Sequence, residues 1–448
     1  MKRSKIIIGV VVLAVVAVVA VLAWIAFVPG PMAFAGGQRV ALAQYQGHPT
    51  GVPADFTATD PLARGRYLAQ AADCEACHTA EGGQSFAGGR PFQTAFGTIY
   101  SPNITPDVKT GIGSWTDADF LAAVHEGRDK NGQHLYPAFP YAAYTYLTDE
   151  DVLAIKNYIF SLPPVSNVAP ANTLRFPYNQ RWLMTIWAAL YDPNKRFEPV
   201  ADRSANWNRG AYLVESLGHC GDCHTPRTLL QALNNREKFR GGMAEGWRAY
   251  NLSSDPNSGI GSWSQADLLQ YLSTGHSQNR GSAFGPMAQA VHLSFQNLTP
   301  SDLGAIAEYV RSVPAVSSPD LPAPKLARAS QYPTDDNSAD AQMVMGRHLF
   351  AGTCSGCHTW TGANDFVPYA TLTGTRAVND PTATNVALAI LRGASPLPAS
   401  GAIATMPSFG AVWNDDQVAA VANYVIARFG AQPSSISAAE VGKLRATL

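Results

Sequence analysis

The sequence predicts an all-α chain in which three tandem helical modules follow an N-terminal apolar segment. Three observations carry that expectation. The pentapeptide Cys-x-x-Cys-His occurs three times, as Cys74–Cys77–His78, Cys220–Cys223–His224 and Cys354–Cys357–His358, and uses all six cysteines. A short helix-like lead precedes each copy, and an amphipathic helical stretch closes each module. An uncharged apolar run over residues 6–28 stands before them all.

The apolar run follows Lys2, Arg3 and Lys5 and is long enough to span a bilayer as a helix. It exceeds the ~7–15 residues of a secretory h-region, which favours a retained anchor; a cleaved signal ending at Ala33-Phe34-Ala35 is the alternative. Residues 1–35 are therefore expected to be an anchor or a signal. In either case the basic flank stays cytoplasmic and the rest is exported, to the periplasmic face of the inner membrane.

Residues 36–60 form a polar lead-in. The modules are expected over 61–165, 206–316 and 339–430. Their leading segments carry Gly65-Arg66-Tyr67-Leu68, Gly210-Ala211-Tyr212-Leu213 and Gly346-Arg347-His348-Leu349. Closing helices are expected over 151–162, 302–313 and 416–429, sharing Tyr158, Tyr309 and Tyr424, and proline stops the first two. Gly-Ile-Gly-Ser-Trp occurs at 111–115 and 259–263, each time before a further helical pattern. A helix before the cysteine motif and another at the module's end is the plan of a small all-α cytochrome c domain. Residues 314–336 read as a linker crossing a surface. Residues 176–191 would line one helical face with Trp182, Leu183, Ile186, Trp187 and Leu190. That face suits an interdomain contact or docking on a membrane or partner.

The chemistry lies in the motifs. Two thiols at this spacing reach the two vinyl-derived carbons of one porphyrin, and the adjoining histidine falls beneath the iron. Disulfides would not require that histidine. Zinc sites pair two such units across a short gap, whereas these motifs begin at positions 74, 220 and 354. Three covalently bound c-type haems are therefore expected. Cys74, Cys77, Cys220, Cys223, Cys354 and Cys357 would form the thioethers, with His78, His224 and His358 as proximal ligands.

Methionine is the common sixth ligand in electron carriers and raises the potential relative to histidine. Met406, in Met406-Pro407-Ser408-Phe409, and Met287, after Gly285-Pro286, stand where a distal ligand is expected; Met243 lies on the wrong side of 259–263. Module one has Phe139 at that place and no methionine between His78 and Met184. Its iron takes His125 or His134, takes a ligand from elsewhere, or stays five-coordinate. A histidine would give this haem the lowest potential, which suits the start of a downhill chain.

The formal net charge is −1, only 15% of residues are charged and no basic stripe exists, which argues against nucleic acid as a partner. No Rossmann glycine fingerprint, flavin motif or nucleophile elbow occurs. Substrate oxidation is thus expected to belong to another polypeptide.

Several strings carry a family resemblance: Asp73-Cys74-Glu75-Ala76-Cys77-His78-Thr79-Ala80, Phe86-Ala87-Gly88-Gly89, Phe96-Gly97-Thr98-Ile99-Tyr100-Ser101, Asn103-Ile104-Thr105-Pro106-Asp107, residues 134–141, and Gly218-His219-Cys220-Gly221-Asp222-Cys223-His224-Thr225-Pro226-Arg227. Across nearly all of 61–430 the chain resembles the triple-haem cytochrome c subunit of bacterial membrane-bound alcohol, aldehyde and sugar-acid dehydrogenases. The resemblance implies a catalytic dehydrogenase partner of quinoprotein, flavoprotein or molybdenum type, electron transfer to membrane ubiquinone, and ligation by Met287 and Met406. Alcohol-oxidising members commonly carry methionine where Phe139 stands here, which points toward the molybdenum aldehyde-oxidising branch. Two other readings are a free-standing periplasmic carrier to a terminal oxidase and a haem peroxidase using an open first haem.

Overall fold

The structure is a computed structural model that describes residues 29–57, 60–278, 280–331, 340–394 and 405–447, with single positions between 9 and 19. The expected anchor or signal over 1–35 thus lies largely outside the described residues. Among the described residues no helix is long and apolar enough to cross a membrane.

Each module is built on a leading and a closing helix. The leading helices are Pro61–Ala71, Ala205–Tyr212 and Ala341–Leu349, started by Asp60, Ser204 and Asp340, whose side chains accept backbone N–H bonds. The closing helices are Asp149–Phe160, Pro300–Ser312 and Asp415–Phe429, capped by Thr148, Thr299 and Asn414. The first two begin two residues before the expected 151 and 302, because a threonine cap sets the start. A Cβ at Gly65, Gly210 or Gly346 would collide with the carbonyl oxygen of Ala154, Ala305 or Ala420 and crowd the Cβ of Tyr158, Tyr309 or Tyr424. The recurring glycine and the recurring tyrosine are therefore two sides of one close helix crossing.

The chain is not helical throughout. Antiparallel ribbons pair Pro91–Thr94 with Gly97–Tyr100, Gly242–Ala244 with Trp247–Ala249, and His276–Ser277 with Gly281–Ser282. In the second, Glu245 (φ 50°) and Gly246 (φ 81°) supply the two left-handed residues a tight hairpin needs. The fold is thus helices with small ribbons, where an all-α chain was expected.

Modules one and two share one continuous core that contains Tyr67, Leu68, Ile155, Tyr212 and Tyr309. Their joint is reciprocal. Tyr67 Oη donates to Asp302 Oδ2 at 2.6 Å, and Tyr212 Oη donates to Asp151 Oδ2 at 2.7 Å. Arg64 pairs with Asp151 at 2.7 Å, and Arg209 with Asp302 at 2.7 Å. Phe34 and Ala35 join this core: Phe34 lies 5.9 Å from the Tyr309 ring, Ala35 is buried, and Arg203 donates to the Ala35 carbonyl. Module three has its own core around Phe350, Val418, Tyr424 and Phe429. It meets module two through Arg248, which pairs with Asp380 at 3.0 Å and exchanges backbone bonds with the Asn385 side chain.

The connectors differ from one another. Leu321 is buried in the third module's approach, and Lys325 N donates to Asn379, so residues 314–331 are tied down as they cross. The aromatic segment forms a helix over Leu183–Tyr191. Trp187 docks inward, its ring 5.7 Å from Tyr141 and its Nε1 donating to Leu230 O, while Trp182 and Ile186 are 63% and 52% exposed. The expected single apolar face is divided between a packed side and an exposed one.

Candidate haem-binding centre

The three motifs occupy short helical turns: Cys74–His78, Gly221–His224 and Ser355–His358. The last two follow wide π-type turns, Leu213–Leu217 and Phe350–Cys354, which carry the leading helix into the motif. All six cysteines are free of disulfide bonds. Burial pushes the thiols of Cys74, Cys77, Cys220 and Cys223 up to about 12 and that of Cys354 up to about 11. They sit as protonated thiols against apolar surface, and no charge would be stranded once the sulfurs become thioethers.

Each motif histidine is held in the same way. Nδ1 of His78, His224 and His358 lies 2.8, 2.6 and 2.6 Å from the carbonyl oxygen of Pro102, Tyr250 and Ala370. A ring that donates from Nδ1 carries its lone pair on Nε2, the nitrogen a proximal ligand must offer. Burial also lowers the pKa of all three, keeping the rings neutral as ligation requires. These residues fit a haem iron.

The carbonyls are positioned by residues the motif reading missed. Asn103 Nδ2 donates to Val165 O at 2.7 Å, and Asn251 Nδ2 to Val316 O at 2.6 Å. Each asparagine directly follows the residue whose carbonyl receives the histidine and pins that segment beneath the closing helix. The repeated Asn-Ile-Thr and Asn-Leu-Ser strings were the available signal. Beneath motif two, buried Glu215 accepts from Lys238 Nζ at 2.5 Å and from Tyr309 Oη at 2.6 Å.

A cavity of about 410 Å³ is lined by Cys77, His224, Met287, His358 and Met406, among others. The structure thus brings both expected methionines into the same space as His224 and His358. Met243 is exposed on a ribbon. Motif one is also tied to module two: Arg90 donates to the Ala76 carbonyl, to Gln289 Oε1 at 2.6 Å and to Glu245 at 2.8 Å. Gln289 lies on the Gly285–Leu293 helix, which also carries Met287.

Module one's distal side is different. Phe139 lies 5.5 Å from the Tyr144 ring, and Tyr144 Oη donates to Ala72 O. His125 is 1% exposed, with Nδ1 3.6 Å from Asp149 Oδ1 and a buried Nε2 that finds no partner among the described residues. It corresponds to Ser273 of module two, which does not line the cavity, although Leu268, Tyr271 and Leu272 of the same helix do. His134 is half-buried and its Nδ1 has no partner among the described residues.

Comparison with known proteins points to the same class of cofactor. The family model described as "Cytochrome c" matches residues 62–163, and that described as "Cytochrome C oxidase, cbb3-type, subunit III" matches 341–425. The chain is 38% identical to the gluconate 2-dehydrogenase cytochrome c subunit of Pantoea cypripedii, over 88% of this chain and 91% of that protein. It is 38% identical to the fructose dehydrogenase cytochrome subunit of Gluconobacter japonicus, over 86% and 82%. It is 41% identical to a nicotinate dehydrogenase subunit of Pseudomonas putida over 83% of this chain, which spans only 30% of that longer protein.

Proposed function

The chain belongs to the family of cytochrome c subunits of gluconate, fructose and alcohol dehydrogenases, and on that premise we propose that it carries electrons from a catalytic dehydrogenase subunit, through three c-type haems, to ubiquinone. The haems are held in three cytochrome c domains over 61–165, 206–316 and 339–430. Cys74 and Cys77, Cys220 and Cys223, and Cys354 and Cys357 form the thioethers, with His78, His224 and His358 beneath the irons. Met287 and Met406 complete the second and third sites. Bound haem supplies one-electron iron chemistry; the chain's own residues fix where that chemistry happens. Pro102, Tyr250 and Ala370 orient the proximal rings through their carbonyls. Apolar side chains along the shared cavity exclude water.

The observation that carries this reading is the single cavity that Cys77, His224, Met287, His358 and Met406 all line. Electron carriers must sit close together, and this space supports closely spaced sites. The N-terminal segment is retained as an anchor at the periplasmic face of the cell membrane. A cut before Gly36 would remove Met32 and Ala35, both buried, and Phe34 from the folded core. Phe139, where alcohol-oxidising members commonly carry methionine, favours a partner of the molybdenum aldehyde-oxidising type.

The test is purification of the full chain from membranes. Three covalent haems by intact mass and copurification with a dehydrogenase are expected. His224→Ala should reduce quinone reduction at least a hundredfold while the partner still reduces a soluble artificial acceptor. Recovery as a lone carrier, or quinone reduction unaffected by His224→Ala, would overturn the reading.

A further inference from the structure

Module one lacks a methionine where module two has one, yet the repeated architecture offers two places from which a distal side chain can come. The middle helices Asp117–Glu126, Gln265–Thr274 and Thr384–Arg392 each end at a left-handed glycine: Gly127 (φ 59°), Gly275 (φ 76°) and Gly393 (φ 69°). The next residue in each case begins a short antiparallel ladder. Arg128 pairs with His134, His276 with Ser282, and Ala394 with Met406. The backbone bonds behind the first two ladders match: Leu135 N donates to Gly127 O at 2.6 Å, and Ala283 N to Gly275 O at 2.7 Å. His134, Ser282 and Met406 therefore hold one equivalent position.

The second place lies five residues further on, where module two has Met287 and module one has Phe139. Module three fills the ladder position with its cavity-lining methionine. Module two instead places at the ladder Ser282, whose hydroxyl is engaged by His276 Nδ1 at 3.0 Å and Tyr369 O at 3.3 Å, and takes its methionine from the second place. Module one has phenylalanine at the second place, which cannot ligate, and histidine at the ladder. His125 occupies neither.

We propose that His134 is the sixth ligand of the first haem iron, so that this site is bis-histidine while the other two are histidine–methionine. The assignment rests on the triple-haem reading above. Its Nδ1 has no partner among the described residues, and the one hydrogen-bonding group beside the ring is the Glu126 backbone. Arg181 donates twice to the His134 carbonyl, at 2.6 and 3.1 Å, and so clamps the ladder residue from the segment leading into the Leu183–Tyr191 helix. A bis-histidine iron has the lowest potential of the three. Electrons at the first haem would then run downhill to the second, whose methionine-bearing helix is tied to motif one by Arg90.

The test uses the full-length holoprotein. Intact mass counts the haems, low-temperature electron paramagnetic resonance reads spin state, and near-infrared magnetic circular dichroism reads methionine–iron ligation. Wild type should show three low-spin ferric haems, with methionine bands from two. His134→Ala should keep three haems and turn one third of the iron high-spin. His134→Met should restore the low-spin state, add a third methionine band and raise the lowest of the three potentials. His125→Ala should change none of these readouts. Uniformly low-spin iron in His134→Ala, or two methionine bands only in His134→Met, would overturn the assignment. Fewer than three haems in wild type would sink the triple-haem reading itself; three haems with an unchanged His134→Ala spectrum would sink the ligand assignment alone.

Discussion

At the scale of the residue, His125 shows what burial does to a histidine. Burial and the neighbouring Arg196 guanidinium hold its pKa down to about 4, and Asp149 only partly opposes them. An unfolded chain protonates this ring near 6.5, so between about pH 6.5 and 4 the unfolded state takes up a proton the folded state refuses. Stability should fall as pH drops through that window and be unaffected above it. His125→Gln removes the titration. Urea unfolding at pH 7 and pH 4.5 should show a smaller loss of midpoint in the variant than in wild type, and equal losses would exclude this account. The contrast with His134 also marks how far single residues were legible. Cys-x-x-Cys-His is readable because its chemistry is local: two sulfurs, one imidazole, one porphyrin. The two candidate histidines could not be separated in sequence, because only the fold shows that His134 stands at a ladder position and His125 on a helix. Asn103 and Asn251 went unread for the same reason, since their partners Val165 and Val316 are about 60 residues away.

Among the helices, the glycine that begins each leading signature acts through the absence of a side chain. Gly210 faces the Ala305 carbonyl and the Tyr309 side chain at contact distance, leaving no room for a Cβ. Gly304, on the closing helix Pro300–Ser312 that Gly210 crosses, has open space around it. Two glycines at one helix pair therefore predict opposite results. Gly210→Val should cost about 3 kcal/mol or more through overpacking at a crossing that cannot widen without breaking the core. Gly304→Ala should stabilise by up to ~1 kcal/mol, because only helix propensity changes. Thermal melts of the two variants decide the matter, and a neutral Gly210→Val would show that the crossing is looser than its geometry. Leading and closing helices were readable because their apolar spacing repeats over several turns. Their exact starts were not, because Thr148 and Thr299 act as caps two residues outside the apolar pattern. The ribbons were missed for a related reason: strands of two to four residues are too short to display an alternating period.

For the whole molecule, the decisive contacts were invisible in the sequence. Tyr67 and Asp302 are 235 positions apart, and Tyr212 and Asp151 are 61 apart, yet each pair performs the same task in mirror order. Module three has Met345, His348 and Gln417 where modules one and two have the arginine, tyrosine and aspartate of this joint. It keeps a separate core and meets its neighbour through polar contacts around Arg248, Tyr250, Arg376 and Tyr369. The chain should therefore unfold as two units, modules one and two together and module three by itself. Asp302 is fully buried and accepts both Tyr67 and the Arg209 guanidinium. Asp302→Ala strands that guanidinium without a counter-charge, a loss of about 3–5 kcal/mol. Differential scanning calorimetry of the holoprotein should resolve two transitions in wild type. The substitution should lower the larger one by about 6–20 °C, on the scale of about 2–4 °C per kcal/mol for a unit of this size, and leave the smaller in place. A single transition that shifts as a whole would mean that the polar contacts to module three couple all three modules as tightly as the reciprocal joint couples two.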